Sequence, residues 1–173
     1  VIIKYNAGNI QSVLYALERL GVSATVSDDA EKIRSSDKVI FPGVGEASSA
    51  MQSLRDAKLD SVIKDLEQPV LGICVGMQLL CAHSEEGDTT CLNIVPVKVK
   101  RFKKAFDLKV PQVGWNNIYD LQSPLFSNIP QSSFIYNVHS YYAEDSAYTI
   151  ARCHYGIDYA GAVQHKNFYG VQF

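Results

Sequence analysis

The first half of the chain alternates between two spacings of apolar residues, one typical of strands and one typical of helices. Short apolar runs predict buried strands at residues 1–5, 22–26, 38–41 and 70–73. Helical spacing separates them around residues 10–20, 29–34, 47–54 and 59–66. Asn9 and Gly21 suit the N-cap and the position after the C-cap of the first helix. This alternation predicts right-handed βαβ units and a mostly parallel sheet.

The second half of the chain has closely spaced strand-like segments and few helical patterns. These segments are residues 95–102, 110–115, 134–138, 148–155, 160–164 and 168–173. We expect antiparallel strands here that complete the sheet. The predicted fold is therefore α/β, a three-layer sandwich around a mostly parallel, mixed sheet. The sequence shows no repeat, low-complexity segment or linker, so we predict a single domain over 1–173.

One cysteine lies at the junction between a predicted strand and a predicted helix, within residues 69–80. Cys74 has Gly72 two residues before it and Gly76 two residues after it. This spacing is the thiol version of a nucleophile elbow, a sharp strand-to-helix turn in which glycines avoid steric clashes. The helix N-terminus below the sulfur would favour the thiolate. The alternative is a small core cysteine in a glycine-rich turn.

Two further loops are expected beside Cys74, because the carboxyl ends of parallel strands meet at one edge of the sheet. They are residues 6–9 and the glycine-rich segment Pro42 to Gly45. Thiolate attack on a carbonyl places negative charge on the oxygen, and backbone N–H groups stabilise that charge. Val75 is the expected first donor, and a residue of the glycine-rich loop is the expected second. Taken alone, that loop could equally be a tight strand-to-helix turn.

Composition adds mainly exclusions. The chain has 173 residues, 47% of them hydrophobic and 20% charged, with a net charge of -2, which indicates an ordinary soluble globule and no nucleic-acid partner. A short basic cluster fits a solvated strand edge: Lys98, Lys100, Arg101, Lys103 and Lys104. No apolar run approaches the roughly 18 residues of a membrane span, so we expect no membrane association and a cytoplasmic location. The four cysteines lack a Cys-x-x-Cys pair, so no metal or cofactor is predicted.

A thiol nucleophile needs a base, normally a histidine. His83 is expected on the surface of the helix after Cys74, and His154 and His165 fall within strand patterns. His139 lies at a predicted strand end, where it could line a substrate. None of the four can be assigned as the base from its position in the sequence.

Several motifs together resemble the class I glutamine amidotransferase family. They run nearly end to end in the family's order: Asn6-Ala-Gly-Asn9 with Ser12, Pro42-Gly-Val-Gly45, Leu71-Gly-Ile-Cys-Val-Gly-Met-Gln78, Ser84-Glu-Glu-Gly87, Val110-Pro-Gln-Val-Gly-Trp-Asn116, Ser123-Pro-Leu-Phe126, Val138-His-Ser-Tyr-Tyr142 and Gly170-Val-Gln-Phe173. The oxyanion loop together with Val-Gly-Trp-Asn is most similar to the members that act in histidine biosynthesis.

The resemblance implies an enzyme that hydrolyses glutamine to glutamate and ammonia through a thioester on Cys74. It assigns the oxyanion donors to Val44 and Val75. The candidate glutamine contacts are Gly43, Gly45, Gln78, His139, Ser140 and Tyr141. The implied partner is a cyclase subunit with a (β/α)8 barrel, which forms a heterodimer and consumes the ammonia. Positions that would face this partner are Asn9, Trp115 and Tyr136.

The sequence departs from the family pattern at its end. The family's base and orienting carboxylate lie in a His-Pro-Glu segment directly after Gly-Val-Gln-Phe, where this sequence stops at Phe173. Both ends fall inside strand patterns, so we interpret the sequence as trimmed at both ends. The alternative is a non-catalytic subunit that only binds a partner. A third hypothesis keeps the elbow for other chemistry, as in stress-response or peptidase-like relatives of the fold.

Overall fold

The computed structural model describes residues 1–6, 8–103 and 108–173. The helices are α1 (Ile10–Arg19), α2 (Ala30–Arg34), α3 (Ala47–Asp56), α4 (Leu59–Lys64) and α5 (Val75–Leu80). The strands are β1 (Ile2–Ile3), β2 (Val26–Ser27), β3 (Val39–Gly43), β4 (Val70–Cys74), β5 (His83–Ser84), β6 (Thr89–Thr90), β7 (Lys98–Arg101), β8 (Gln112–Ile118), β9 (Ser133–His139), β10 (Tyr141–Ala143), β11 (Thr149–His154), β12 (Asp158–His165) and β13 (Phe168–Val171). Short 3₁₀ turns cover Glu86–Asp88 and Pro124–Phe126.

The main sheet is mixed, as the sequence predicted. Its strand order is β2-β1-β3-β4-β13-β12-β10-β7-β5-β6, with β11 paired to β12. The five strands from β2 to β13 in this order run parallel to one another. The next pairs, from β13 through β12 and β10 to β7, are antiparallel. The elbow strand β4 therefore lies within the parallel part, between β3 and β13.

Three strands of the second half differ from the expectation that all would extend the sheet in antiparallel fashion. A tight turn at residues 166–167 reverses the chain between β12 and β13, so that β13 runs parallel to β4. Strands β8 and β9 leave the sheet and pair with each other as a separate antiparallel hairpin. Alternation along the chain does not specify which strand lies beside which, so these pairings could not be predicted from it.

Two hydrophobic clusters fill the space on the two faces of the sheet. The larger contains buried residues of α3, α4 and α5, among them Met51, Leu54, Ile63, Met77 and Leu80. The smaller joins the opposite face of β4 and β13 to aromatic residues of the second half, including Phe102 and Tyr159. Burial of these side chains on both faces produces the predicted three layers.

Helix α1 begins and ends where the sequence indicated. The Asn9 side chain accepts a hydrogen bond from the Ser12 N–H at 3.2 Å, and Gly21 has a φ of 71° after the C-cap Leu20. None of the residues of α1, all of which the structure describes, is fully buried. Among the described residues no helix is long and apolar enough to cross a membrane.

Two smaller expectations change. His83 is not on the helix after Cys74, because α5 ends at Leu80 and His83 lies in β5. The basic segment Lys98–Arg101 is not a sheet edge, because β7 pairs with β10 on one side and β5 on the other. Lys104 of the basic cluster and Ala7 of the first loop lie outside the described residues.

Candidate active site

The strand-to-helix turn at Cys74 has the geometry of a nucleophile elbow. Strand β4 ends at Cys74, and α5 begins at the next residue. Cys74 has φ 54° and ψ −114°, a backbone conformation that residues other than glycine rarely adopt. Such a backbone costs on the order of 1–3 kcal/mol and persists where its surroundings enforce it. The turn predicted from glycine spacing is therefore present.

The glycines around Cys74 are required by contacts with a neighbouring strand as well as by the turn itself. A Cβ added to Gly76 would lie 2.0 Å from the backbone oxygen of Phe41, on β3. A Cβ on Gly43 would lie 2.3 Å from the Gly76 nitrogen, and one on Gly72 would lie 2.9 Å from the Gly76 oxygen. Backbone thus packs directly on backbone where β3, β4 and α5 meet.

The loop that follows β3 lies beside the cysteine. In the register of β3 and β4, Gly43 is the partner of Cys74. The hydroxyl of buried Tyr5 donates a hydrogen bond to the Pro42 oxygen at 2.7 Å, which fixes the start of the loop. Gly45 has a φ of 88°, and a Cβ placed on it would meet none of the described residues within 4 Å. The loop is therefore anchored at Pro42 and open at Gly45.

The electrostatics of Cys74 oppose the simple expectation that its helix favours the thiolate. Burial raises the pKa of the Cys74 thiol, the Val75 N–H that bonds to the sulfur lowers it, and the carboxylate of Glu86 raises it. The pKa is raised overall because burial is the largest of these effects. The hydrogen bond from the Val75 N–H does not offset the loss of solvent.

A chain of side-chain amides connects the sulfur to the strand end at Tyr141. The Nε2 of Gln172 lies 3.8 Å from Cys74 Sγ. The Nε2 of Gln78 donates to the Oε1 of Gln172 at 2.9 Å and to the Tyr141 oxygen at 3.1 Å. Both glutamine side chains are buried.

His139 also acts on the Tyr141 oxygen. Its Nδ1 donates to that oxygen at 2.7 Å, and its Nε2 lies 3.4 Å from the hydroxyl of Tyr159. Burial lowers the pKa of His139 to about 4, so the ring is neutral at pH 7. The half-buried Ser140 lies between them and its carbonyl accepts the Phe102 N–H at 3.0 Å. His139 and Gln78 thus hold the Tyr141 carbonyl from two sides.

Glu86 is a residue of the site that sequence reasoning did not single out. Its carboxylate accepts the N–H of Ala47, the first residue of α3, at 2.9 Å, and its charge reaches Cys74. Burial raises the pKa of Glu86, and the nearby carboxylate of Glu46 adds to that effect. The Ser-Glu-Glu-Gly motif in the sequence contains Glu86, but its place near Cys74 depends on the 3₁₀ turn that brings its side chain back to the elbow.

The other three histidines are engaged elsewhere. His83 pairs with Asp88 at 2.9 Å, His154 pairs with Asp158 at 2.7 Å, and the His165 Nδ1 donates to the Ile94 oxygen at 2.6 Å. Among the described residues, no histidine is hydrogen-bonded to Cys74. The geometry therefore assigns the base to none of the four.

The hairpin of β8 and β9 presents apolar side chains to solvent on its outer face. Its exposed members are Val113, Trp115, Phe134, Tyr136 and Val138. Trp115 and Tyr136 are cross-strand partners whose rings meet edge to face at 5.4 Å. Asn9 is exposed at the start of α1. We call the five hairpin residues the hairpin patch.

The comparison of sequences agrees with the fold and the elbow. Residues 1–173 match the family model for Glutamine amidotransferase class-I, and the chain belongs to this family. The Imidazole glycerol phosphate synthase subunit HisH of Bacteroides fragilis is 51% identical over 173 residues, which are 99% of this chain and 88% of that one. The subunit of the same name from Idiomarina loihiensis is 45% identical over 174 residues, covering 100% and 87%.

Solved structures support the same fold at much lower sequence identity. A glutamine amidotransferase crystal structure superposes with a TM-score of 0.76 at 16% identity, over 100% of this chain and 89% of that one. A glutamine amidotransferase from Thermotoga maritima has a TM-score of 0.66 at 17% identity, over 99% and 73%. The arrangement of the mixed sheet is thus shared where few residues are.

Proposed function

We propose that this protein is the glutaminase subunit of an imidazole glycerol phosphate synthase, and that it releases ammonia from glutamine through a thioester on Cys74. The observation that carries the proposal is the elbow itself, a cysteine at φ 54° with the glycine-rich loop as its neighbour in the sheet. The class I family and the 41–51% identical relatives supply the substrate and the pathway.

In the proposed reaction, Sγ of Cys74 attacks the side-chain amide carbon of glutamine, and an S–C bond forms. The tetrahedral intermediate collapses with cleavage of the C–N bond, and the thiol proton leaves with the nitrogen as ammonia. Water then attacks the thioester, which releases glutamate and restores the thiol. A base must carry the proton between sulfur and nitrogen, and Cys74 has no hydrogen-bonded histidine among the described residues.

Backbone N–H groups of Val75 and Val44 are the proposed oxyanion donors. The Val75 N–H already donates a hydrogen bond to the Cys74 sulfur, which lowers the pKa of the thiol. Val44 lies between Gly43, the register partner of Cys74, and Gly45, a glycine at φ 88° with open space around it among the described residues. Such preorganised donors commonly contribute about 3–4 kcal/mol to a transition state.

We propose that glutamine binds between the loop after β3 and the strand end at Tyr141. Gly43, Gly45, Ser140 and Tyr141 would contact it directly. Gln78 and His139 would act by holding the Tyr141 carbonyl, to which both donate. Glu86 would accept a hydrogen bond from the α-ammonium group of the substrate, because it is the carboxylate whose charge acts on Cys74.

The partner we propose is a cyclase subunit with a (β/α)8 barrel, bound as a heterodimer on the hairpin patch. A contiguous set of exposed aromatic and branched side chains is typical of a protein interface. Asn9 would lie at the rim of the same contact. Direct transfer of ammonia has a chemical advantage, since ammonia that reaches water becomes protonated and loses its nucleophilicity.

The catalytic proposal is tested by Cys74→Ala in the full-length gene product, with whatever residues follow Phe173, in complex with the cyclase and its nucleotide ligand. We expect glutamate release to fall by more than about a thousandfold, because no other group can form the thioester. Cys91→Ala, at a buried cysteine in the core, is the matched control and should retain activity. Full activity of Cys74→Ala would contradict the proposal, and an inactive parent protein that still binds the cyclase would favour the non-catalytic alternative.

The docking proposal is tested by Trp115→Ala. Loss of a central aromatic anchor should weaken cyclase binding by about 2 kcal/mol or more, measured by calorimetry. Leu20→Ala is the control, because Leu20, the C-cap of α1, is an exposed apolar residue (75%) that does not belong to the hairpin patch. Equal affinity of both variants would place the cyclase on another surface.

A further inference from the structure

We propose that the side-chain amide of Gln172, held in orientation by Gln78, donates a hydrogen bond to Cys74 Sγ and stabilises the thiolate that attacks glutamine. The inference rests on the proposed glutaminase function and deepens it, because it adds a side-chain donor at the reacting sulfur. Gln172 would be a catalytic residue and Gln78 a positioning residue.

The position of Gln172 follows from the parallel pairing of β13 with β4. Val171 is the register partner of Ile73. Because the two strands are parallel, the next residues along them, Gln172 and Cys74, also lie side by side. The side chain of Gln172 is 1% exposed, and its Nε2 lies 3.8 Å from Sγ. A buried polar amide in this position needs partners within the protein.

The hydrogen-bond network fixes which end of the Gln172 amide faces the sulfur. The Tyr141 carbonyl can only accept, so the group of Gln78 that lies 3.1 Å from it must be the NH₂ group. That same NH₂ group contacts Gln172 at 2.9 Å and therefore requires an acceptor there, which is Oε1. The NH₂ group of Gln172 is consequently the end that points to Cys74. Reversing either amide would bring two donors or two acceptors together.

The charged groups around Cys74 show why a neutral donor matters at this point. Burial raises the pKa of Tyr5, on the loop after β1, so its phenol is neutral and adds no charge. Glu86, after α5, places negative charge near the sulfur and disfavours the thiolate in a site that is already buried. An amide N–H donates to the thiolate without adding a charge of its own, and together with the Val75 N–H it opposes this effect.

The test measures the ionisation of Cys74 directly, apart from glutaminase activity. Iodoacetamide reacts with the thiolate, so the pH dependence of alkylation, followed on the peptide that contains Cys74, gives the midpoint of thiol ionisation. Gln172→Met preserves the length of the side chain and removes the donor. We expect its midpoint to rise by about one pH unit, equivalent to a tenfold loss of thiolate. Gln172→Glu should raise the midpoint further, because it replaces the donor with a carboxylate.

Two more variants separate the relay from simple packing. Gln78→Met should raise the midpoint in the same direction by a smaller amount, because Gln172 keeps its donor and loses its orientation. Gln164→Met, at an amide that bonds to Ser123 instead, should leave the midpoint unchanged. Circular dichroism establishes whether each variant is folded. If Gln172→Met does not fold, Gln78→Met and Gln172→Glu are used for the test.

The outcomes distinguish this inference from the proposed function. An unchanged midpoint in the folded Gln172 and Gln78 variants overturns the role of the amide, even if glutamate release still depends on Cys74. A raised midpoint supports the role. A raised midpoint in a protein that releases no glutamate with its cyclase bound overturns the glutaminase proposal and, with it, the catalytic use of this thiolate.

Discussion

The two sides of the Cys74 site are built in opposite ways. On the elbow side, Gly76 and Gly43 leave no room for a Cβ, and the amides of Gln78 and Gln172 are buried with their partners. On the loop side, Gly45 has open space among the described residues, and the Val44 side chain is 48% exposed. The nucleophile is thus held by tight packing, whereas the glycine loop beside it is packed at Gly43 and open at Gly45.

This difference fits the separate tasks of the two sides. A nucleophile must keep one orientation, and backbone-to-backbone packing with hydrogen-bonded amides gives it one. The loop has to present an N–H to the substrate only when substrate and partner are bound. A glycine such as Gly45 helps here, because it changes backbone conformation at low energetic cost. Substitutions should therefore affect stability on the elbow side and activity on the loop side.

The largest effect on stability is expected for Gly76→Ala. The new Cβ would lie 2.0 Å from the Phe41 oxygen, and neither backbone can move without separating α5 from β3. We expect a loss of about 3 kcal/mol or more in the free energy of unfolding, measured by urea titration. Gly21→Ala is the control, since its site is open but has a φ of 71°, and it should cost about 1 kcal/mol. Equal costs would show that the elbow is not tightly packed.

A more gradual loss of stability is expected from His139 at acid pH. Burial lowers its pKa to about 4 in the folded protein, against roughly 6.5 in the unfolded chain. The unfolded chain therefore binds the proton more readily. The stability that the neutral His139 ring contributes is fully present above pH 6.5. It is lost as the pH falls toward 4, by at most about 1.4 kcal/mol of unfolding free energy per pH unit.

The variant His139→Gln tests this assignment. It should flatten the stability profile between pH 6.5 and 4 relative to the parent protein, as measured by urea titration at each pH. His154→Gln is the control, because the His154 side chain is 63% exposed. If His154→Gln flattened the profile as much as His139→Gln, the acid sensitivity would come from the surface and not from the buried ring.

The smallest effect on stability is expected for Gly45→Ala, on the loop side. A Cβ meets none of the described residues within 4 Å, so only the strain at φ 88° remains, about 1 kcal/mol. Glutamate release in the cyclase complex should nevertheless fall by about a hundredfold, because the loop loses the freedom to present the Val44 N–H. Retained activity with unchanged stability would make this loop a passive turn.

The site could be predicted from the sequence in proportion to how local its signals are. The elbow was evident because Gly72, Cys74 and Gly76 lie within five residues of one another. Glu86 lies ten residues beyond Gly76 and was missed, because a 3₁₀ turn and the start of α3 bring its carboxylate back to the elbow. The contact of Gln172 with the sulfur depends on β13 entering the sheet beside β4, which no spacing along the chain encodes.

The sequence by itself determined the order of strands and helices in the first half, the caps of α1, the elbow and, through its motifs, the family, although β2 lies at Val26–Ser27 and not over the predicted residues 22–26. These signals are short-range, because helix periodicity, capping and glycine spacing act over a few residues. Only the tertiary structure decided the parallel entry of β13, the separate hairpin of β8 and β9, and the raised pKa of Cys74. Strand partners and burial are set by residues far apart in the chain, so the state of the sulfur depends on what the whole fold packs around it.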